Sequence, residues 1–310
     1  MQTTAVRPPF RQRFALSFQR YWMLYLMVTP LLLYYILFCY LPMFGIVIAF
    51  QDFRVTRGFF DSKWVGLKHF HKFFASEYAW TTIRNTLLIS AYGLIFGFPA
   101  PILLALMLNE AKQARFKKAV QLITYMPHFI SLVVVCAIVR DFCATSGIIN
   151  SLLAYMGRSP VNFMTEPGWF RPLYIVSGIW QHMGWDSIIY LASLSAIDPE
   201  LYEAATVDGA GRMRKIWHIT LPGISATITI LLILRIGSIM SVGFEKIILL
   251  YTPLTYETAD VISTHVYRRG LIDGDYSFAS AVGLMNSVVN LVLLISADRF
   301  SKKIGQRGLF

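Results

Sequence analysis

The chain has 310 residues, 56% of them hydrophobic and 15% charged, with a formal net charge of +11. Soluble domains carry roughly 45–50% apolar residues, so a water-soluble fold of this chain would leave much apolar surface unburied. The basic excess reads first as membrane topology and not as a nucleic-acid arm.

A membrane-spanning helix needs about 20 apolar residues. Six windows satisfy this, at 22–50, 86–108, 119–139, 173–194, 224–243 and 278–295. Backbone polar groups in hydrocarbon must be satisfied internally, so the pattern predicts an all-α integral membrane protein with six transmembrane helices. In chain order, residues 1–21, with Arg7, Arg11, Arg13 and Arg20, form a basic cytoplasmic tail. The first window is too long for a cleaved signal peptide, and Pro30 and Pro42 predict a kink or a protrusion beyond the outer face. The loop Gln51–Asn85 carries Phe53, Phe59, Phe60, Trp64, Phe70, Phe73, Phe74 and Trp80 beside Lys63, Lys68 and Lys72. It fits an interfacial aromatic belt, with docking of a binding protein or contact with sugar as the alternative. His69 and His71, without a nearby Cys or carboxylate, read as surface residues and not as a metal site. Cys39 and Cys136 read as small buried hydrophobes and Cys143 lies near an outer membrane edge, with no spacing that suggests a disulfide or zinc.

Two further loops, Arg140–Pro172 and Phe244–Ser277, face the same side as the first. Each of the three is long enough to hold short helices and to meet a partner. An N-terminus inside puts 15 of the 28 Lys and Arg in short inner segments and 12 in longer outer loops, with Arg235 within a span. Basic density therefore predicts that both termini are cytoplasmic. Residues 22–298 read as one six-helix domain, followed by a cytoplasmic tail, 299–310.

Between the fourth and fifth windows, residues 196–223 are polar and broken by glycine. Asp198 is a candidate N-cap, Pro199 stands at the first helical position and Glu200 lies near the positive helix end. A short helix is predicted to about Asp208, closed by Gly209 in the left-handed region, and a second from Arg212 to about His218. Leu221-Pro222 ends the hairpin, because a residue before proline avoids helical geometry while proline can begin the next helix. Ala204 and Ala205 permit close backbone approach, and Ile216 and Trp217 offer apolar anchors for a cleft in another protein.

The run Tyr202–Pro222, YEAATVDGAGRMRKIWHITLP, resembles the signature cytoplasmic loop of permease subunits in bacterial ATP-driven importers. The spacing of Glu203-Ala204-Ala205, Gly209, Ile219 and Leu221-Pro222 is intact. With LPMFGIVIAFQDF, WVGLKHFHKFF, RNTLLIS, LALMLNEA and YMPHFIS, the chain looks like ABC permeases of the carbohydrate (maltose-type) class. Among these it most resembles the branch serving uronate-containing glycans such as alginate or pectin fragments. The resemblance implies a multi-pass subunit of the bacterial cytoplasmic membrane. It also implies a second homologous permease, two nucleotide-binding subunits that hold ATP and magnesium, and an extracytoplasmic solute-binding protein. It maps Glu203, Ala204, Ala205 and Gly209 to a coupling helix seated in the ATPase subunit, with Asp208, Ile216, Trp217, Leu221 and Pro222 around them.

Chemistry within the chain itself is not indicated. There is no Gly-Lys pair and hence no phosphate loop ending in Gly-Lys-Ser/Thr. Gly209 and Gly211 open a dinucleotide fingerprint, but Arg214 takes the place of its third glycine. The serines and carboxylates form no hydrolase motif. The chain thus reads as a non-catalytic subunit with no cofactor or metal of its own. Asp186 and Arg235 lie in mid-span, where charges are costly and face the bundle interior. They read either as an ion pair or, for Arg235, as a cation placed for an acidic sugar. Trp180, Gln181, His182 and Trp185, with Asn286 and Asn290 one turn apart, are a candidate translocation path, against ordinary helix packing. Competing readings are the same architecture with another solute, a stand-alone carrier, or an intramembrane enzyme.

Overall fold

The computed structural model describes residues 10–303, 305, 308 and 309, with side chains from Gln19 onward. Arg7 and Arg307 lie outside the described residues. Helix α1 (Phe10–Tyr35) starts within the expected tail and continues through a π turn, Ile36–Tyr40, to a 3-10 turn ending at Phe50. Pro30 sits inside α1, whereas Pro42, which has no N–H to donate, follows the widened turn. Every side chain from Gln19 to Phe44 is exposed. Cys39, expected to be buried, is therefore exposed, because this stretch meets no other helix of its own chain; Cys136 and Cys143 are buried.

Outside the helices, β1 (Gln51–Asp52) pairs antiparallel with β2 (Lys63–Trp64), a small departure from an all-α fold. Helix α2 (Lys68–Phe74) follows. Its Phe73 turns into the core while Trp64, Phe74 and Trp80 stay exposed, so the aromatic loop is divided between core and surface. His69, expected at the surface, is buried with Nε2 3.1 Å from the Gln51 carbonyl oxygen, because α2 packs beneath β1.

Helices α3 (Glu77–Tyr92) and α4 (Pro99–Glu110) are joined by a π turn into one 34-residue rod. Helix α5 (Ala114–Tyr125) stops at Pro127, and Ser131, whose hydroxyl accepts from the Val134 N–H, starts α6 (Leu132–Cys143). The window 119–139 thus straddles a break, since proline removes one helical donor and a new cap restarts the ladder. Then come α7 (Ile148–Tyr155) and α8 (Pro167–Ser195). A polar hairpin contains α9 (Pro199–Val207) and α10 (Arg212–Lys215), and its second arm bends by 61° into α11 (Ser225–Gly237). The chain ends with α12 (Phe244–Leu250), α13 (Ile262–Tyr267) and α14 (Tyr276–Lys303), which extends into the expected C-terminal tail.

By length and apolarity, Gln19–Phe50, Glu77–Glu110, Leu132–Tyr155 and Tyr276–Lys303 can cross a membrane, and Arg212–Gly223 with Ser225–Gly237, bent by 61°, passes the same test only when the two are taken together as one broken span. At 29 residues, α8 also has the length, about 43 Å at 1.5 Å per residue. Its Trp, Gln, His and Asp dilute its apolarity because it stands inside the bundle, against α3 to α6 on one side and α11 and α12 on the other. At the crossing with α5, Gly184 lies so close to the Thr124 carbonyl that a methyl group there would collide. One apolar cluster (Ile102, Ala105, Tyr190, Leu194, Ile224) ties α4, α8 and the start of α11 together just beyond the hairpin.

Candidate functional site

The first arm of the hairpin is built as its residues dictate, but the second does not end at His218 or at Leu221-Pro222: Leu221 keeps helical geometry, since proline is tolerated in the first turn of the segment Leu221–Gly223. Asp198 accepts from the Glu200 N–H at 3.0 Å and caps α9, and Gly209 turns the chain at φ +74°. Two side-chain hydrogen bonds tie the arms: the Tyr202 hydroxyl donates to Thr220 Oγ1 at 3.1 Å, and Lys215 Nζ donates to Thr206 Oγ1 at 2.7 Å. Glu203, Ala204, Asp208, Gly209, Trp217 and Pro222 are exposed, while Ala205, Ile216 and Leu221 are half-buried. Trp217 is 63% exposed, and Val207, which the sequence did not single out, is 89% exposed. An apolar residue two positions before the glycine of a polar loop was the available signal.

A cavity of about 1340 Å³ opens between the α3–α4 rod, α8 and the α11–α12 segment. Of the expected path residues, His182, Trp185, Asp186 and Arg235 line it; Trp180, Gln181, Asn286 and Asn290 do not. Trp185 stacks on His128 with ring centroids 4.5 Å apart. Asp186 and Arg235 share the cavity without forming an ion pair. Asn286 and Asn290 serve the bend between α11 and α12: Asn290 Oδ1 accepts from the Met240 N–H at 3.0 Å, and Asn286 Nδ2 donates to the Met240 carbonyl at 3.2 Å. These amides satisfy backbone groups that an interrupted helix leaves open.

Lys246, which the sequence placed in an outer loop, is a cavity residue. It is only 7% exposed, and Nζ donates to the Tyr174 carbonyl at 3.0 Å and lies 4.9 Å from the centre of the Tyr174 ring. Burial, offset in part by Cys136, pushes its ammonium down to about 8.

Residues 97–306 match the family described as binding-protein-dependent transport system inner membrane component. The chain belongs to this family. The permease is 47% identical, over 93% of its length and 90% of the relative's, to the polygalacturonan/rhamnogalacturonan transport system permease protein YteP of Bacillus subtilis (strain 168). It is 29% identical, over 89% of its length and 88% of the relative's, to the arabinooligosaccharides transport system permease protein AraP of the same organism. A chain of a bacterial alginate ABC transporter, solved in complex with an alginate pentasaccharide-bound periplasmic protein, superposes with a TM-score of 0.88 at 47% identity. The match covers 94% of the permease and 98% of that chain.

At the end of α8 remote from the hairpin, the permease fixes its last connecting segment with charge and amide contacts. Arg268 grips Asp260 through two bonds of 2.8 and 2.6 Å. Asn85 donates to the Glu257 and Asp260 carbonyls at 3.0 and 2.9 Å and accepts from Arg171 at 2.8 Å. Bidentate and charge-assisted contacts of this kind hold geometry more firmly than neutral ones. The segment entering α14 is thereby held against α3 and α8.

Proposed function

We propose that the permease carries acidic oligosaccharide or polysaccharide, of the uronate-containing kind, from an extracytoplasmic solute-binding protein to the cytoplasm. The observation that carries this reading is the cavity, larger than the roughly 300–1,000 Å³ usual for small-molecule pockets and furnished with Arg235 and Lys246. The glycans named for its similar proteins, polygalacturonan and alginate, are acidic. Trp185, Asp186 and Arg235, with Tyr174, His182 and Lys246, form the substrate path in this reading.

Energy comes from elsewhere. Glu203, Ala204, Ala205, Asp208 and Gly209, with Val207 and Trp217 as apolar anchors, dock into a nucleotide-binding subunit that holds ATP and magnesium. A second homologous permease and a second ATPase subunit complete the assembly, with both termini of this chain in the cytoplasm. The tied hairpin moves as one body, so closure of the ATPase pair shifts the spans between two arrangements that bind substrate differently. The exposed face of Gln19–Phe44 supports a lipid or partner-permease contact.

The test is ATP-driven uptake by the assembled transporter, comparing alginate oligosaccharides with neutral oligosaccharides of equal length. Preferential uptake of the acidic chains is expected. Uptake of neutral chains alone would overturn the acidic assignment, and uptake of neither would overturn the carbohydrate assignment.

A further inference from the structure

The cavity wall holds a pair of cations whose placement the transport reading alone does not explain. Lys246 Nζ sits against Gly178: a Cβ built there would lie 3.3 Å from it. The Arg235 guanidinium sits against Gly93 in the same manner, with its terminal nitrogen 3.6 Å from the position a Cβ would take. That position is also 3.9 Å from Ile175 Cδ1. The Lys246 tip therefore lies on the turn of α8 between Tyr174 and Gly178, where an added Cβ would crowd it, and the Arg235 tip lies against the joint of the α3–α4 rod on the wall of the same cavity.

Neither cation has a carboxylate within 4.0 Å among the described residues. Asp186 and Glu245 line the same cavity, yet neither forms an ion pair with Lys246 or Arg235. An ammonium has three donors, and Lys246 spends one on the Tyr174 carbonyl. Burying a cation is costly unless it is paired and hydrogen-bonded, and charges at such positions mark ligand paths. The Tyr174 carbonyl and ring steady the Lys246 ammonium, but no carboxylate balances its charge and two of its donors remain for an anion.

We infer that Lys246 is a specificity-determining residue that receives a carboxylate group of the transported glycan at the Tyr174–Gly178 turn of α8, with Arg235 as a second cation on the wall of the same cavity. The inference rests on the acidic-glycan reading and adds to it the atoms that recognise the acid. The ring face of Tyr174 beside the ammonium gives a sugar a surface to pass over while its carboxylate is held.

The experiment compares uptake of an alginate trisaccharide and its methyl ester, neutral at every carboxyl, by the complete transporter in proteoliposomes with the same binding protein throughout. Lys246→Met is expected to lower the acidic-to-neutral ratio by roughly tenfold or more, the scale of a lost charged hydrogen bond, and Lys246→Arg to keep most of it. Gly178→Ala, which crowds the ammonium while leaving the charge, is expected to lower the ratio as well. Co-purification of the other subunits with each variant confirms assembly. An unchanged ratio in an assembled Lys246→Met transporter would overturn the inference while leaving the acidic reading intact. A fall of both substrates by one factor would likewise overturn it, as a purely structural effect. A wild-type transporter that favours the ester would overturn both.

Discussion

In the proposed substrate path, Lys246 and Arg235 differ in one testable respect. Arginine stays protonated, whereas burial has brought the Lys246 ammonium to about 8. The titratable or charged groups around this part of the cavity are Tyr174, His182 and Asp186 on α8, Cys136 on α6, Arg235 on α11 and the adjoining Glu245. Because the shift is downward, the ammonium keeps its proton below about 8 and loses it as pH rises through that value. Uptake of an acidic glycan should fall through the same window, and Lys246→Arg should flatten the profile; a wild-type profile level across pH 8 would contradict the role given to Lys246. Asp186 and Arg235 are not paired, so exchanging both charges, Asp186→Arg with Arg235→Asp, is expected not to restore uptake lost in either single variant. Restored uptake would mean that the two do pair in another state of the cycle.

At the scale of elements, two joints decide whether these side chains stay in place. The α5–α8 crossing depends on Gly184, where protein interiors leave no room for an added group. Gly184→Leu is expected to abolish accumulation of the folded permease in membranes, and a normal yield would show that the crossing can open. The bend between α11 and α12 depends on Asn290, which bonds the Met240 N–H and the Ser241 hydroxyl. Asn290→Leu leaves a buried backbone donor open, a loss of about 1–3 kcal/mol, and should lower the melting temperature of the purified complex. The cap and the left-handed glycine of the hairpin were legible in the sequence because they act locally, whereas Leu221-Pro222 does not end it: Leu221 keeps helical geometry and the arm runs on to Gly223. The cavity was not legible. Trp180 and Gln181 fall outside the lining although Gln181 lies one turn from Trp185 on the same face of α8, because Gln181 is buried by packing while Trp180 is exposed away from the cavity. Lys246 lay beyond the apolar window, and only the folding of α12 back against α8 brings it to Tyr174.

The whole molecule is an apolar bundle with one polar projection, and this division explains why the chain needs partners. The stretch Gln19–Phe44 buries nothing within the chain, and the hairpin presents Val207 and Trp217 to the outside. The family and the general architecture could be read from spacing and apolar windows, because membrane crossing leaves a strong compositional trace. The exact path of the third crossing could not, because Pro127 and Ser131 break it where the apolar window continues. The central claim is that this permease is driven through its hairpin by a separate ATPase. It is tested most directly by Glu203→Lys in the assembled transporter, measuring glycan uptake and ATP hydrolysis on the same preparation. The account predicts a fully assembled complex that hydrolyses ATP but no longer accumulates glycan; uptake at the wild-type rate would contradict it.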